Sequence, residues 1–375
     1  MAGIYIHIPF CKTKCHYCDF YKSTDFVAKS DFLNALKKEI IQRCHELEDE
    51  PVQSIYFGGG TPSVLKIEEI ADILEVLRTN FQWDDDTEIT MEANPDDLTK
   101  TFLNDIRGTA INRLSVGIQS FNDDDLKGMN RRHNSSQAVH CIEDAREAGF
   151  DNISLDLIYG LPGQSLADWQ LNIQKVISLQ VRHISAYHLT YHKGTVFYDY
   201  LKSGKLKELP DELSFGQFKL LKDMLEGAGF EHYEISNFAV HGSYSRHNCA
   251  YWQRRSYLGF GPSAHSFDLK TRRWNVASLG RYLKSIEQGL PYSEKEVLKP
   301  QDQYNDYMIT SLRTIWGISK NELRNNFDPV YGTYFEQEAK PFLESGHMFF
   351  QNGIYRLTAE GLFISDKIME DLLYI

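Results

Sequence analysis

Three cysteines near the start of the chain could hold a metal centre. Cys11, Cys15 and Cys18 stand in the string IPFCKTKCHYCDF with the spacing C-x3-C-x2-C. A [4Fe–4S] cluster normally takes four cysteine ligands, so three thiolates on one short loop leave one iron open. An open iron can chelate a small molecule through an amine and a carboxylate. The triplet therefore predicts an iron–sulfur cluster with room for a small ligand.

Two other kinds of site use cysteines at similar spacing. A tetrahedral zinc site needs a fourth ligand, for which His16 is the candidate, and more typically shows two separated C-x2-C pairs. A redox-active C-x-x-C at Cys15 and Cys18 leaves Cys11 without a role. The cluster accounts for all three cysteines, and on the triplet alone the alternatives stay open.

A glycine-rich segment follows the second strand-like run of the chain. In SIYFGGGTPS, Gly58, Gly59, Gly60 and Thr61 come directly after apolar residues. Glycines let backbone N–H and C=O groups approach a ligand closely and tolerate positive φ. A glycine triplet after a strand is by itself more often a turn. After a cysteine-bearing strand and loop, it favours a ligand-binding segment.

The elements that must position these residues alternate between strand-like and helix-like segments. The strand-like segments are 5–9, 54–57, 88–92, 113–118, 153–158 and 183–189. The amphipathic helical stretches are 31–44, 66–81, 98–108, 135–149 and 165–179. This alternation predicts parallel βαβ units with right-handed crossovers. We therefore predict the α/β class and an open-sided, partial (β/α)6 TIM-like barrel.

Such a barrel places its chemistry at the C-terminal ends of the strands. The cluster loop follows the first strand and the glycine segment the second, while Glu92 ends the third and Gln119 follows the fourth. Asp156 lies inside the fifth strand, where a polar side chain needs a partner or a ligand. We expect these residues to converge on a common ligand.

The second half of the chain has a different character. An aromatic- and histidine-rich extension (232–290) follows the barrel (1–231), and helical periodicity returns in 291–375. Asn352-Gly353 between two strand-like runs predicts a hairpin. Helices followed by a hairpin indicate a smaller C-terminal α+β, winged-helix-like domain. We interpret it as a lid or interaction surface.

Composition limits the class of protein. A chain of 375 residues with 42% hydrophobic residues can bury a large core. The net charge of −12 disfavours a nucleic-acid partner. The N-terminus MAGIYIHIPF lacks a basic region, and no apolar run reaches the ~18 residues of a membrane span. The expected location is the cytoplasm, with membrane association only through partners.

The ordered motifs carry a family resemblance over essentially the whole chain. YIHIPFCKTKCHYCDF, FGGGTPS, MEANP, SVGIQSF, LDLIYGLPGQ and HNCAYW resemble the coproporphyrinogen dehydrogenase-like branch of radical S-adenosylmethionine proteins. The resemblance implies a [4Fe–4S] cluster and S-adenosylmethionine. Oxygen-independent coproporphyrinogen III oxidases carry a further cysteine two residues after the triplet and a long N-terminal extension. Here that position is Phe20, and ten residues precede Cys11.

Both departures make the chain similar to HemW-type heme chaperones, which also possess an H-N-x-x-Y-W motif. This sequence has it as His247, Asn248, Tyr251 and Trp252. An imidazole can ligate heme iron, and aromatic side chains can line a porphyrin face. The resemblance therefore implies that His247 is a heme ligand.

The resemblance also implies which residues hold the cluster and its ligand. Cys11, Cys15 and Cys18 are expected to bind three irons of the cluster. Gly59, Gly60 and Thr61 are expected to contact the methionine end of S-adenosylmethionine. The remaining contacts are assigned to Tyr5, Tyr17, Glu92, Gln119, Arg131 and Asp156. Arg131 could present a fixed fork to a carboxylate, and Arg132 is the adjacent competitor for that role.

The implied function is a heme chaperone that transfers heme to acceptor proteins and uses a reductant such as flavodoxin or ferredoxin. The alternative is oxygen-independent oxidation of coproporphyrinogen III, in which a 5′-deoxyadenosyl radical initiates decarboxylation of the propionates. The sequence leaves open whether the protein is an enzyme.

Overall fold

The computed structural model describes residues 2–48 and 50–375. Six parallel strands pair in chain order and form the centre of the structure. They are β1 (Ala2–Ile8), β2 (Val52–Gly59), β3 (Glu88–Ala93), β4 (Arg113–Gln119), β5 (Ile153–Tyr159) and β6 (His183–His188). Most of their residues are buried, as expected for a parallel sheet covered by helices.

Helices connect these strands. They are α1 (Lys29–Arg43), α2 (Ile67–Asn80), α3 (Lys100–Arg107), α4 (Asp123–Gly128), α5 (Ser135–Glu147) and α6 (Leu166–Ser178). In α2, Glu69 accepts a hydrogen bond from the Lys66 N–H in the manner of a capping box. The same helix buries Ile70, Ile73 and Leu77 at helical spacing against the sheet. Short 3-10 turns at Cys44–Leu47, Pro62–Val64 and Pro95–Asp97 complete the connections.

Additional strands extend the sheet at both edges. Beyond β6, the chain adds α7 (Val196–Lys202), α8 (Asp211–Gly227) and the antiparallel hairpin β7 (Phe230–Glu234) and β8 (Asn237–Val240). Beside β1 it adds α9 (Arg246–Trp252), β9 (Tyr257–Phe260), β10 (His265–Phe267), β11 (Thr271–Asn275), α10 (Leu279–Gln288) and β12 (Ser293–Val297). The result is an open twelve-stranded sheet, which confirms the predicted α/β class and open-sided barrel.

The C-terminal part has its own core and a small antiparallel sheet. Its elements are α11 (Pro300–Leu312), β13 (Ile318–Ser319), α12 (Lys320–Asn326), α13 (Pro329–Glu338), α14 (Lys340–Glu344), β14 (Met348–Gln351), β15 (Ile354–Leu357), α15 (Ala359–Phe363) and α16 (Ser365–Leu372). The predicted hairpin is confirmed, since Asn352 and Gly353 have φ of 53° and 80° between β14 and β15. The boundaries 1–231, 232–290 and 291–375 stay a prediction.

The sequence predicts a final helical run over 361–373, and the structure divides this run at Ile364. This residue leaves helical geometry with φ −105° and ψ 22°. Phe363 packs against Phe215 of the large core, whereas Ile368 and Leu372 are buried in the C-terminal core. Leu362, in the first of these two helices, packs against both cores. Among the described residues, no helix is long and apolar enough to cross a membrane.

Candidate functional site

The cluster loop, residues 11–22, leaves the end of β1 and returns to it. Phe10 pairs with Ser23, and the Cys11 N–H donates to the Ser23 carbonyl over 2.9 Å. Cys11 is buried, while Cys15 and Cys18 are half-buried, and all three are free thiols. Burial raises the pKa of the Cys11 thiol to about 11. A thiolate at this position therefore needs a cation to stabilise it, which an iron centre supplies.

The glycine segment packs directly against the start of this loop. The Gly60 N–H donates to the Ile8 carbonyl and the Thr61 N–H to the Phe10 carbonyl, each over 2.8 Å. A Cβ on Gly60 would lie 2.7 Å from the Ile8 oxygen, so a side chain there would clash. Gly59 has a φ of 102°, which glycine adopts without strain. The close approach brings the Thr61 hydroxyl within 3.3 Å of the Cys11 sulfur.

A cavity of about 390 Å³ opens at the C-terminal ends of the six parallel strands. Every residue that the resemblance assigns lines it, except Tyr5 and His247. These lining residues are Cys11, Cys15, Tyr17, Cys18, Gly59, Gly60, Thr61, Glu92, Gln119, Arg131 and Asp156. The strand order thus brings together residues that are up to 145 positions apart in sequence.

Arg131 and Arg132 point to different partners. Arg131 donates from Nη1 to the Cys15 sulfur over 3.3 Å and from Nη2 to Asn94 Oδ1 over 2.7 Å. Its buried Nε has no hydrogen-bond partner among the described residues. Arg132 instead forms ion pairs with Asp96 and Asp97. Arg131 therefore lines the cavity and keeps one N–H donor without a partner, which suits a ligand carboxylate.

Two half-buried carboxyl groups, Glu92 and Asp156, also line the cavity. Glu92 accepts a hydrogen bond of 2.8 Å from the Tyr56 hydroxyl, and Asp156 accepts one of 3.3 Å from Ser115. Burial, followed by the charge of Asp156, raises the pKa of Glu92 to about 7. Burial likewise raises the pKa of Asp156 to about 6. A cationic or hydroxyl-bearing ligand would compensate both groups.

Tyr5 and His247 lie in a second, smaller cavity of about 210 Å³. Its lining residues are Tyr5, Phe20, Tyr56, Gly59, Glu92, His247, Asn248 and Tyr251. Phe20, Gly59 and Glu92 also line the larger cavity, so the two cavities adjoin along these residues. Phe20 is exposed on the cluster loop, at the point where the cavities meet.

His247 is buried on α9 and both ring nitrogens have partners. Nδ1 lies 2.9 Å from the Ser54 hydroxyl and Nε2 lies 3.0 Å from the Tyr251 hydroxyl. The ring stacks on Tyr56 with centroids 5.0 Å apart. Burial, followed by the charge of Arg113, lowers the pKa of His247 to about 3. The imidazole is therefore neutral at physiological pH, which is the protonation state that ligates metals.

Several contributing residues did not stand out in the sequence. Tyr56 and Ser54 lie within β2, where their types fit an ordinary strand. Asn94 and Ser115 belong to the MEANP and SVGIQSF motifs, but these motifs did not indicate their contacts with Arg131 and Asp156. The sequence also indicated neither helix nor strand around His247, because Asn, Cys, Tyr and Trp are weak helix formers. The signal for α9 was Ser245, whose hydroxyl caps the helix by accepting from the Asn248 N–H.

His16, the candidate ligand of the zinc alternative, lies away from the thiols. Its Nδ1 lies 2.8 Å from the Gly128 carbonyl, and its ring packs against Phe197 and Tyr200. Within the described residues, no group of three His, Cys, Asp or Glu side chains converges at the spacing of a single metal ion.

Residues 5–175 match the model of the radical SAM superfamily, and residues 298–364 match the HemN C-terminal domain. The heme chaperone HemW of Bacillus subtilis is 35% identical over 373 residues, covering 98% of both chains. The chain belongs to the HemW family. The HemW of Lactococcus lactis is 30% identical, covering 98% of this chain and 96% of its own.

A solved structure confirms the fold of this HemW family member. Coproporphyrinogen III oxidase (HemN) from Escherichia coli, described as a radical SAM enzyme, superposes with a TM-score of 0.85. The superposition covers 99% of this chain and 90% of that one, at 24% sequence identity. At this identity the likeness concerns the fold alone.

The residues of the larger cavity fit the cofactors of a radical SAM protein. Three free thiols are the donor set of a [4Fe–4S] cluster with one open iron. The unpartnered Nε of Arg131 and the carboxyl of Glu92 suit the carboxylate and the amino group of an amino-acid moiety. The cavity volume lies in the usual range for a small-molecule site.

Proposed function

We propose that this protein is a heme chaperone that binds heme, a [4Fe–4S] cluster and S-adenosylmethionine, and transfers heme to acceptor proteins. One structural observation supports the proposal independently of family membership. The cavity of the cysteine triplet and the cavity of His247 share Phe20, Gly59 and Glu92. The cofactor site and the H-N-x-x-Y-W motif are thus neighbours in space, although about 190 residues separate Gly59 from His247.

The proposed cofactor site uses the larger cavity. Cys11, Cys15 and Cys18 hold three irons, and the open iron chelates the amine and carboxylate of S-adenosylmethionine. Further contacts come from Tyr5, Tyr17, Gly59, Gly60, Thr61, Glu92, Gln119, Arg131 and Asp156. The unpartnered Nε of Arg131 supports a carboxylate contact, and the raised pKa of Glu92 supports a compensating cation.

The proposed heme site uses His247 as an iron ligand. A cavity of 210 Å³ lies below the usual range for drug-sized molecules, and heme is a large, flat ring. Heme binding therefore requires that the cavity widens and that the Tyr251 side chain, which lies on the same helix as His247, rotates away from Nε2. The aromatic residues around His247 then provide apolar surface for the porphyrin.

The proposal includes partners and a location. A radical SAM cluster is active in its reduced form, so a reductant such as flavodoxin or ferredoxin is part of the account. The C-terminal residues 291–375 are proposed as an interaction surface for acceptor proteins. A cytoplasmic location is supported by six free cysteines, three of which would serve the cluster.

Anaerobic turnover separates this proposal from the oxidase alternative. The cluster-reconstituted protein is incubated with coproporphyrinogen III, S-adenosylmethionine and a chemical reductant, and products are separated by chromatography. We expect no protoporphyrinogen IX under conditions in which the same preparation binds heme. Formation of protoporphyrinogen IX at several turnovers per chain would establish the oxidase instead.

A further inference from the structure

A buried carboxylate beside the cluster loop accepts hydrogen bonds from two cationic side chains and one hydroxyl. These three donors belong to three different segments of the chain. Asp97 ends the turn that follows β3, and only 2% of its side chain is exposed. Its Oδ1 accepts from Lys12 Nζ over 2.6 Å and from Arg132 Nη2 over 3.0 Å. Its Oδ2 accepts from the Ser63 hydroxyl over 2.9 Å. The cavity itself does not include Asp97.

The three donors belong to the segments that form the cofactor site. Lys12 follows Cys11 in the cluster loop, Ser63 lies two residues after Thr61, and Arg132 follows Arg131. Asp97 therefore connects the cluster loop, the glycine segment and the arginine pair from one position.

The connection continues to a second cysteine. The Asn94 N–H donates to the Ser63 hydroxyl over 3.3 Å, and Asn94 Oδ1 accepts from Arg131. Arg131 in turn donates to the Cys15 sulfur. An unbroken polar path thus runs from the neighbour of Cys11, through Asp97, to the thiol of Cys15.

We propose that Asp97 is a positioning residue for the cluster: it fixes the shape of the cluster loop through Lys12 and neutralises the cations beside it. The inference rests on the proposed cluster site. A metal site is usually supported by such outer contacts, and their loss typically costs about 10–100-fold in metal affinity. Buried charge pairs also lose most when one partner is removed, because the other charge stays uncompensated.

The test uses the full chain with a reconstituted cluster and follows iron release to a chelator and the reduction potential of the cluster. For Asp97→Asn we expect iron release on the order of tenfold faster than in the parent. We also expect a higher potential, since the positive charges of Lys12 and Arg132 lose a neutralising partner. Asp96→Asn is the matched control. It removes the same charge from the adjacent residue and one of the two ion pairs of Arg132, but keeps the bond between Asp97 and Lys12. Its release rate should match that of the parent.

A second variant, Lys12→Met, removes the contact between Lys12 and Asp97 by changing the more exposed partner. Lys12 is about half exposed, so Lys12→Met should fold even if Asp97→Asn does not. We expect faster iron release here too, but a lower potential, because a positive charge is removed. Lys14→Met in the same loop is the control. The opposite potential shifts separate positioning of the cluster from a general loss of folding.

The possible results test the role of Asp97 separately from the existence of the cluster site. Release rates and potentials equal to those of the parent in both Asp97→Asn and Lys12→Met would overturn the role of Asp97 and leave the cluster site intact. Equal acceleration by Asp96→Asn and Asp97→Asn would also overturn it. A parent that assembles no cluster would overturn the proposed cluster site and, with it, the role of Asp97.

Discussion

The hydroxyl of Tyr251 lies 3.0 Å from Nε2 of His247. Nδ1 of the same ring lies 2.9 Å from Ser54, which ties helix α9 to strand β2. Iron ligation through Nε2 therefore competes with a protein hydrogen bond. Under the proposed ligation, Tyr251 must give up this hydrogen bond when iron binds.

Removing the Tyr251 hydroxyl should ease heme binding. A hydrogen bond contributes about 1 kcal/mol net, so we expect Tyr251→Phe to associate with heme about fivefold faster than the parent. Stopped-flow absorption under anaerobic conditions measures the rate constant. Tyr257→Phe is the control, since Tyr257 contacts the edge of Tyr251 but leaves its hydroxyl in place. An unchanged rate for Tyr251→Phe would show that the hydrogen bond does not limit heme binding.

Binding of S-adenosylmethionine should depend on pH through Glu92. The pKa of Glu92 is raised to about 7 by burial and by Asp156, so below pH 7 the group is mostly protonated and neutral. An iron-bound amine donates N–H hydrogen bonds and the ligand sulfonium is positively charged, so both favour the ionised form of Glu92. The affinity should therefore increase as pH rises, by about tenfold between pH 6 and pH 8. Isothermal titration of the cluster-reconstituted protein measures this dependence.

Glu92→Gln should bind more weakly at pH 8 and lose most of the pH dependence. Glu234→Gln is the matched control. Burial also raises the pKa of Glu234 to about 7, but this residue lines a different groove beside the C-terminal sheet. A pH dependence that disappears in Glu234→Gln and persists in Glu92→Gln would contradict the assignment.

Each cysteine of the triplet should be necessary for the cluster. We expect Cys11→Ala, Cys15→Ala and Cys18→Ala to lose the iron, the sulfide and the cluster absorption after reconstitution. Cys44→Ala should retain all three, because Cys44 lies at the end of α1, outside the cavity. Heme binding should persist in the triplet variants, since His247 provides the proposed ligand. A full cluster in Cys18→Ala would remove this residue from the ligand set.

The sequence predicted the elements whose signals are local. Alternating apolar runs and amphipathic stretches indicated the six βα units, and the cysteine spacing indicated the cluster loop. The long-range contacts had no such signal. Tyr56 meets Glu92 across 36 residues and Lys12 meets Asp97 across 85, and neither pairing follows from residue type or spacing. They depend on the register of neighbouring strands and on how the loops after them pack.

The residues that surround His247 could not be predicted from the sequence either. The H-N-x-x-Y-W motif indicated a ligand, but a motif does not specify burial or the partners of each ring nitrogen. Helix α9 is short and composed of weak helix formers, so it depends on its Ser245 cap and on packing against β2. Tertiary structure therefore decides whether this histidine is accessible.

An anaerobic heme titration of the cluster-reconstituted protein tests the central claim most directly. The parent, His247→Ala and His241→Ala are compared by absorption spectroscopy; the side chain of His241 is 92% exposed and lies on the loop before α9. The account predicts one heme per chain in the parent and in His241→Ala, and loss of the ligated-iron spectrum in His247→Ala. Absence of stoichiometric heme binding in the parent, or an identical spectrum in His247→Ala, would contradict it.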